Sequence, residues 1–268
     1  MARVLRNGMM TGAVGDLVYR NCNGMQVVAA RPVSNKVLRT DLQLCQRLKQ
    51  LNVVQFYKWG KNCGAFKNNF EGKIGKQSDY TKFVSHNICK ADSVYFTKME
   101  AEEKACVAAD YIASIGHLDP IRIQMSQGGL CTSICIGNLE INESTRVSDL
   151  SKAIGRNNKD WQEGDELQLI SYVQRIDQNT NVPFVKATCQ RFVLDYANDR
   201  CVHDFALANV DGCIGYPNPL PQGSFVWVHH RVTERTHYVS SQTFFVNNDL
   251  LADYTSDAAK QRALESWK

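Results

Sequence analysis

Phe225-Val226-Trp227-Val228-His229-His230-Arg231-Val232 is dense in β-branched and aromatic residues and reads as a β-strand. Runs of the same character recur around it at Tyr111–Ile115, Ile121–Met125, Cys131–Ile136, Leu167–Val173, Phe184–Leu194 and Tyr238–Val246. Gly128-Gly129, Gly137-Asn138, Glu163-Gly164-Asp165 and Asn179-Thr180-Asn181 separate them at hairpin-like intervals. That spacing favours an antiparallel β-sandwich or partly open barrel over parallel βαβ units. Ser148-Asp149-Leu150-Ser151 has the form of a cap for one short inserted helix, and Asp257–Trp267 reads as a terminal helix.

Ahead of residue 110 the character differs. Asp16–Arg20 and Met25–Ala30 form a predicted β-hairpin, because Asn21-Cys22-Asn23-Gly24 between them tolerates positive φ. Gly12 and Gly15 precede it, and their spacing suits a bend better than a phosphate-cradling loop, since no Gly-Lys-Ser/Thr follows. A linker, Val33–Lys36, leads to Thr40-Asp41-Leu42-Gln43, a capping-box pattern that opens an amphipathic helix carrying Leu44, Leu48 and Leu51. A second helix is predicted from about Ser78 to Cys89. Thr97-Lys98-Met99-Glu100 opens a third, running through Ala101–Ala108, with Glu102-Glu103 in its opening turns. The expected class is α+β: residues 1–109 form a basic hairpin-and-helix docking segment, and residues 110–268 an antiparallel β domain with a short inserted helix and a C-terminal helix.

The 268 residues are 44% apolar and 22% charged, which is ordinary for a globular chain. No apolar run approaches the length of a membrane span or follows the basic N-terminus as an export signal, so the chain reads as soluble. Ten cysteines without paired Cys-x-x-Cys spacing read as reduced thiols. Cys131 and Cys135 fall on one side of a strand, as core sulfurs rather than metal ligands.

Charge is distributed unevenly. Residues 1–90 hold 15 Lys/Arg against 4 Asp/Glu, whereas the rest hold 16 against 23. The candidate docking or nucleic-acid surface is therefore Arg20, Arg31, Lys36, Arg39, Arg47, Lys49, Lys58, Lys61, Lys67 and Lys73. The interleaved rings Phe56, Tyr57, Trp59, Phe66, Phe70 and Tyr80 suit either bases stacked on them or an aromatic core under a basic coat.

Catalytic candidates are sparse. His229 and His230 are adjacent on a strand and point to opposite faces, so one is expected in solvent and they cannot converge on one metal or substrate. Gly164-Asp165 reads as a turn feeding a strand. No catalytic residue, metal ligand or cofactor is assigned, and the chain reads as a non-enzyme; a hydrolase built on a cysteine or histidine is the minor alternative.

The pattern Gly12-x-x-Gly15, Val18-Tyr19-Arg20, Asn23-Gly24, Val28, Arg31-x-x-Ser34-Asn35 and Arg39-Thr40, followed by Gln43 and Arg47, resembles a family of uncharacterised proteins from Bacteroidetes and their phages. Phe83-Val84-Ser85-x-Asn87, Val94-Tyr95-Phe96-Thr97-Lys98-x-Glu100-Ala101, Gly164-Asp165 and Val239-Ser240-Ser241-Gln242 resemble later blocks of it. Ala13-Val14 and Leu38 depart from the family's Lys in the Gly-x-x-Gly turn and its Pro before the Arg-Thr pair. The resemblance implies no chemistry. It implies a structural or assembly protein, made in the bacterial cytoplasm and carried into a virion, whose partners are other copies of itself and other virion proteins. Nucleic-acid binding through the same basic surface is the alternative, and no membrane partner is expected.

Overall fold

The computed structural model describes residues 3–5, 8–22, 25–31, 40–71, 78–91, 94–202, 207–218, 220–233, 236–247 and 251–267. Two compact units result, Met1–Thr40 and Asp41–Lys268. The first is an antiparallel meander, in the order β1 (Arg3–Val4), β2 (Met10–Val14), β3 (Leu17–Cys22) and β4 (Met25–Ala30). The expected hairpin is β3 with β4, and β1 and β2 extend it. Gly15, at φ +55°, makes the two-residue turn that joins Val14 to its partner Leu17. Asn23, Gly24 and the expected linker at 33–36 lie outside the described residues.

The second unit opens with α1 (Asp41–Asn62), starting where Thr40 and Asp41 signal a helix N-terminus, then α2 (Asp79–Asn87) and α3 (Lys98–Glu102). Thr97 and Glu100 do form a reciprocal capping box. The helix is shorter than expected, because Lys104 adopts φ +66° while Lys104 N–H donates to the Ala101 carbonyl and Ala105 N–H to that of Glu100, a Schellman stop. Glu102 and Glu103 therefore sit at the C-terminal end of α3, and dipole stabilisation of opening-turn acids does not apply to them.

Strands dominate from there: β5 (Ile112–Ser114), β6 (Ile123–Ser126), β7 (Gly129–Cys135), then α4 (Val147–Asn157), β8 (Glu166–Ile176), β9 (Pro183–Val193), β10 (Ala208–Val210), β11 (Cys213–Pro217), β12 (Gly223–Val232), β13 (His237–Val239), β14 (Gln242–Thr243) and β15 (Phe245–Asn247), closed by α5 (Leu251–Thr255) and α6 (Asp257–Trp267). All the strand pairs are antiparallel and none closes a barrel. The central sheet runs β13-β12-β8-β9, with β15 also on β12; a second sheet runs β10-β11-β7-β6. The architecture is α+β, as expected from sequence.

Both faces of the central sheet are buried. Leu167 and Leu169 of β8 and Phe225 and Trp227 of β12 pack with Leu130, Ile134 and Ile214 of the second sheet and Leu150 and Ile154 of α4. Their neighbours of opposite parity, Ile170, Tyr172, Val226 and Val228, pack under Phe56 of α1 and Phe83 of α2. These helices share the β domain's core, so compactness divides the chain after residue 40 rather than near 109.

Tyr172 fastens helix to sheet. Its ring stacks on Phe56 at 3.8 Å, and its hydroxyl donates to the Phe56 carbonyl at 3.0 Å. Gly60, one turn further on, makes room for this. A Cβ there would lie 2.0 Å from Tyr172 Oη and 2.4 Å from Phe66 Cε2. Glycine inside a helix ordinarily costs about 0.5–1 kcal/mol relative to alanine. At this position the sign should reverse: Gly60→Ala is expected to destabilise by about 1–3 kcal/mol through overpacking. Urea denaturation of the full chain, followed by circular dichroism, checks it.

Candidate functional site

Of the expected basic surface, Arg20 lies on β3 and Arg31 just after β4, both exposed. Arg47, Lys58 and Lys61 are exposed on α1, and Lys67 in the turns after it, whereas Lys49 is half-buried. Spacings of 11 and 14 residues put Arg47, Lys58 and Lys61 along one helix face. Lys36, Arg39 and Lys73 lie outside the described residues. The interleaved rings are used differently. Phe56, Tyr57, Phe66 and Phe70 are buried, and all four contact Phe83. Trp59 is half-buried and Tyr80 sits edge-on to Tyr57. Four of the six rings form a core beneath a basic coat, and Tyr80 is exposed.

Among the described residues of the N-terminal meander none is buried, and Val4, Val14, Leu17, Met25, Val27 and Val28 are exposed apolar side chains, Val4 at 70% and Met25 at 69%. The register puts Met10, Val14, Leu17, Tyr19 and Val28 on one face and Ala13, Val18, Val27 and Ala29 on the other. Both faces are thus largely apolar. A sheet of three or more strands with a hydrophobic face meets the ordinary minimum for independent stability.

In the second unit the titratable side chains cluster at one end of β8 and β12. His229 and His230 do point to opposite faces, but neither reaches solvent: they are 3% and 2% exposed. The expectation of one exposed histidine fails because β12 is internal to a sheet buried on both sides. His229 stacks on Trp161 at 3.8 Å and meets Asp165 through Nε2 at 2.9 Å. Asp165, only 1% exposed, also accepts from Arg231 Nε at 2.8 Å and Nη2 at 2.7 Å. Burial works to raise this carboxyl, but hydrogen bonds from Arg231 and His229 outweigh it and hold Asp165 below the usual carboxylate range. The Gly164-Asp165 step is a turn feeding β8, as read from sequence, and in addition a buried ionic anchor.

On the other face, Asn69 donates to the Ala113 carbonyl at 3.4 Å and to Gln168 Oε1 at 3.0 Å. That fixes the amide orientations, so Gln168 Oε1 also accepts from His230 Nε2 at 3.1 Å, and His230 Nδ1 accepts from His237 Nε2 at 3.0 Å. Burial, aided by the neighbouring His237, lowers the His230 pKa to about 3 and keeps the ring neutral. Burial also lowers His237. Gln168 Nε2 turns to Cys189 Sγ at 3.3 Å. Nearby, Glu71 ties three segments together: its carboxylate accepts from Val239 N–H at 2.5 Å and from His117 N–H at 3.1 Å, and contacts the His117 ring.

Most of these groups satisfy one another, and Asn69 Oδ1 is buried without a hydrogen-bond partner. Both ring nitrogens of His230 point at protein partners, and Asp165 is spent on Arg231 and His229. The concavities lined by Asn52, Asp110 and Tyr111, and by Glu103, Lys104 and Asp177, about 400 and 410 Å³, lie elsewhere. Among the described residues no group of three or more His, Cys, Asp or Glu is placed to hold a metal ion. Cys131 and Cys135 lie on one side of β7, as the strand reading requires, but only Cys131 is a core sulfur; Cys135, at the exposed end of the strand, meets Cys213 Sγ across the sheet at 3.3 Å. Burial and the adjoining Cys135 thiol push Cys213 up to about 12. Cys106, wholly buried, is pushed up as well. No helix among the described residues is long and apolar enough to cross a membrane. Comparison with known proteins finds no matching family model, no similar curated protein and no similar solved structure.

Burial of His230 makes stability depend on pH. His230 titrates near 3 when folded and near 6.5 when unfolded, so its protons favour the unfolded chain. Stability should be full above about pH 6.5 and fall as pH drops toward 3, by up to about 4–5 kcal/mol from this group. Asp165, depressed when folded, removes more at the acid end of that range. Urea midpoints at stepped pH should show the decline, and His230→Gln should flatten its upper part. Cysteine accessibility gives a second expectation: under native conditions iodoacetamide labels exposed Cys22, Cys89 and Cys135 and spares Cys106, which reacts only after unfolding. Peptide mass mapping reads the order.

Proposed function

We propose that the chain is a non-enzymatic assembly protein, a bacteriophage particle component whose N-terminal meander is the docking module. The observation that carries this reading is a four-stranded sheet with no buried residue among those described and apolar side chains on both faces. Such surface ordinarily marks a protein interface, since apolar area left in water forfeits about 25 cal/mol per Å². The meander also concentrates positive charge: residues 1–40 hold six Lys/Arg against one Asp. That sign steers association with acidic protein surfaces. The second unit has its own core and uses its most reactive-looking side chains to hold itself together, which favours a scaffold role over catalysis.

Nucleic-acid binding through Arg47, Lys58 and Lys61 is weaker, because most rings that could stack on bases are inside the core. The deciding experiment is incorporation into particles produced with wild-type protein or with Val14→Ser/Leu17→Ser/Val28→Ser. The variant should keep the wild-type melting transition and be depleted at least tenfold from particles by quantitative mass spectrometry. Equal incorporation contradicts the docking reading. Salt-sensitive DNA binding between about 50 and 200 mM salt, measured by anisotropy, would favour the nucleic-acid alternative instead.

A further inference from the structure

The hydrogen-bond phase of the meander determines which backbone groups it leaves open. Arg31 N–H donates to the Asp16 carbonyl at 2.5 Å, which makes Asp16 and Arg31 a hydrogen-bonded pair. Such pairs alternate along an antiparallel ladder, so Val18 with Ala29, Arg20 with Val27 and Cys22 with Met25 are bonded likewise. The intervening residues of β4, namely Gln26, Val28 and Ala30, direct N–H and C=O away from β3. Among the described residues β4 is the last strand of its sheet, so those groups form its free edge.

Natural sheets protect free edges with charge, proline, bulges or short strands. The opposite edge is protected in this way, since β1 has two residues. β4 has none of these devices: Met25-Gln26-Val27-Val28-Ala29-Ala30 is six residues, uncharged, without proline and wholly exposed.

We infer that β4 pairs antiparallel with β4 of a second copy of this chain, across a two-fold axis at Val28, to give one continuous eight-stranded sheet. This rests on the docking reading above and names its partner. In that register Val28 faces Val28 of the second copy and Gln26 faces its Ala30, so every outward backbone group of the strand finds a mate. On the other face Val27 meets Ala29 and Met25 meets Arg31, so no cation opposes a cation. The short β1 at the far edge stops growth at two copies. The joined sheet offers twice the apolar face to further particle proteins.

The backbone phase supplies a specific test. Val28→Pro removes an outward N–H and leaves the β3–β4 bonds in place, because edge strands tolerate proline where the N–H faces solvent. Ala30→Pro does the same one step along, and Val28→Thr keeps the N–H and the branched shape. Sedimentation velocity of full-length protein over a hundredfold concentration range should show a monomer–dimer equilibrium for wild type and Val28→Thr. Dissociation constants at least tenfold weaker are expected for both proline variants, with wild-type circular dichroism confirming their fold. A wild-type chain that stays monomeric throughout overturns the pairing and leaves docking onto other particle proteins standing. Dimers that survive both proline changes overturn the edge and place self-association on the faces. Loss of dimer in Val28→Thr as well would assign the contact to the side chain and overturn backbone pairing.

Discussion

The second unit depends on a sheet buried on both faces. An antiparallel sheet can expose one side, but β8 and β12 are covered by helices on one face and by a second sheet on the other. No polar group on these strands can rely on solvent, so each must find a protein partner or cost a few kcal/mol. Gln168, His229 and His230 follow from that requirement, and Asp165 with Arg231 completes it at the sheet's end. The same burial that fills the two cores keeps His230 neutral and brings Gly60 against Tyr172.

This constraint separates holding from recognising. The second unit turns Asp165, His229 and His230 inward, where protein partners hold each of them. The first unit is the reverse: backbone hydrogen bonds within it are regular, yet nothing described in it is buried.

Much of the fold was legible because local signals agreed with tertiary demands. The Thr97–Glu100 capping box and the Asp257–Trp267 helix fall where the residues place them, and the seven strand runs coincide with β5–β9, β12 and β13–β15. β10 and β11 escaped because Ala208–Val210 and Cys213–Pro217 are short and interrupted by Asp211-Gly212. α3 was read too long because the left-handed turn at Lys104 comes at a residue with no preference for it. The burial of both histidines was missed, although a signal was present. Leu167, Leu169, Ile170 and Tyr172, like Val226, Trp227 and Val228, are apolar at both parities, which is the mark of a strand covered on two sides. Asp165 could not be read in this way, since its importance lies in Arg231 and His229, more than sixty residues distant in sequence.

The second unit holds cores of its own, whereas no described residue of the first is buried. Amide hydrogen exchange by mass spectrometry on the full chain, at a dilution that keeps it monomeric, tests that division directly. Slowest exchange is predicted in Glu166–Ile176 and Gly223–Val232, with residues 3–31 exchanging orders of magnitude faster. Protection of residues 3–31 in the dilute monomer equal to that of β8 and β12 would contradict it.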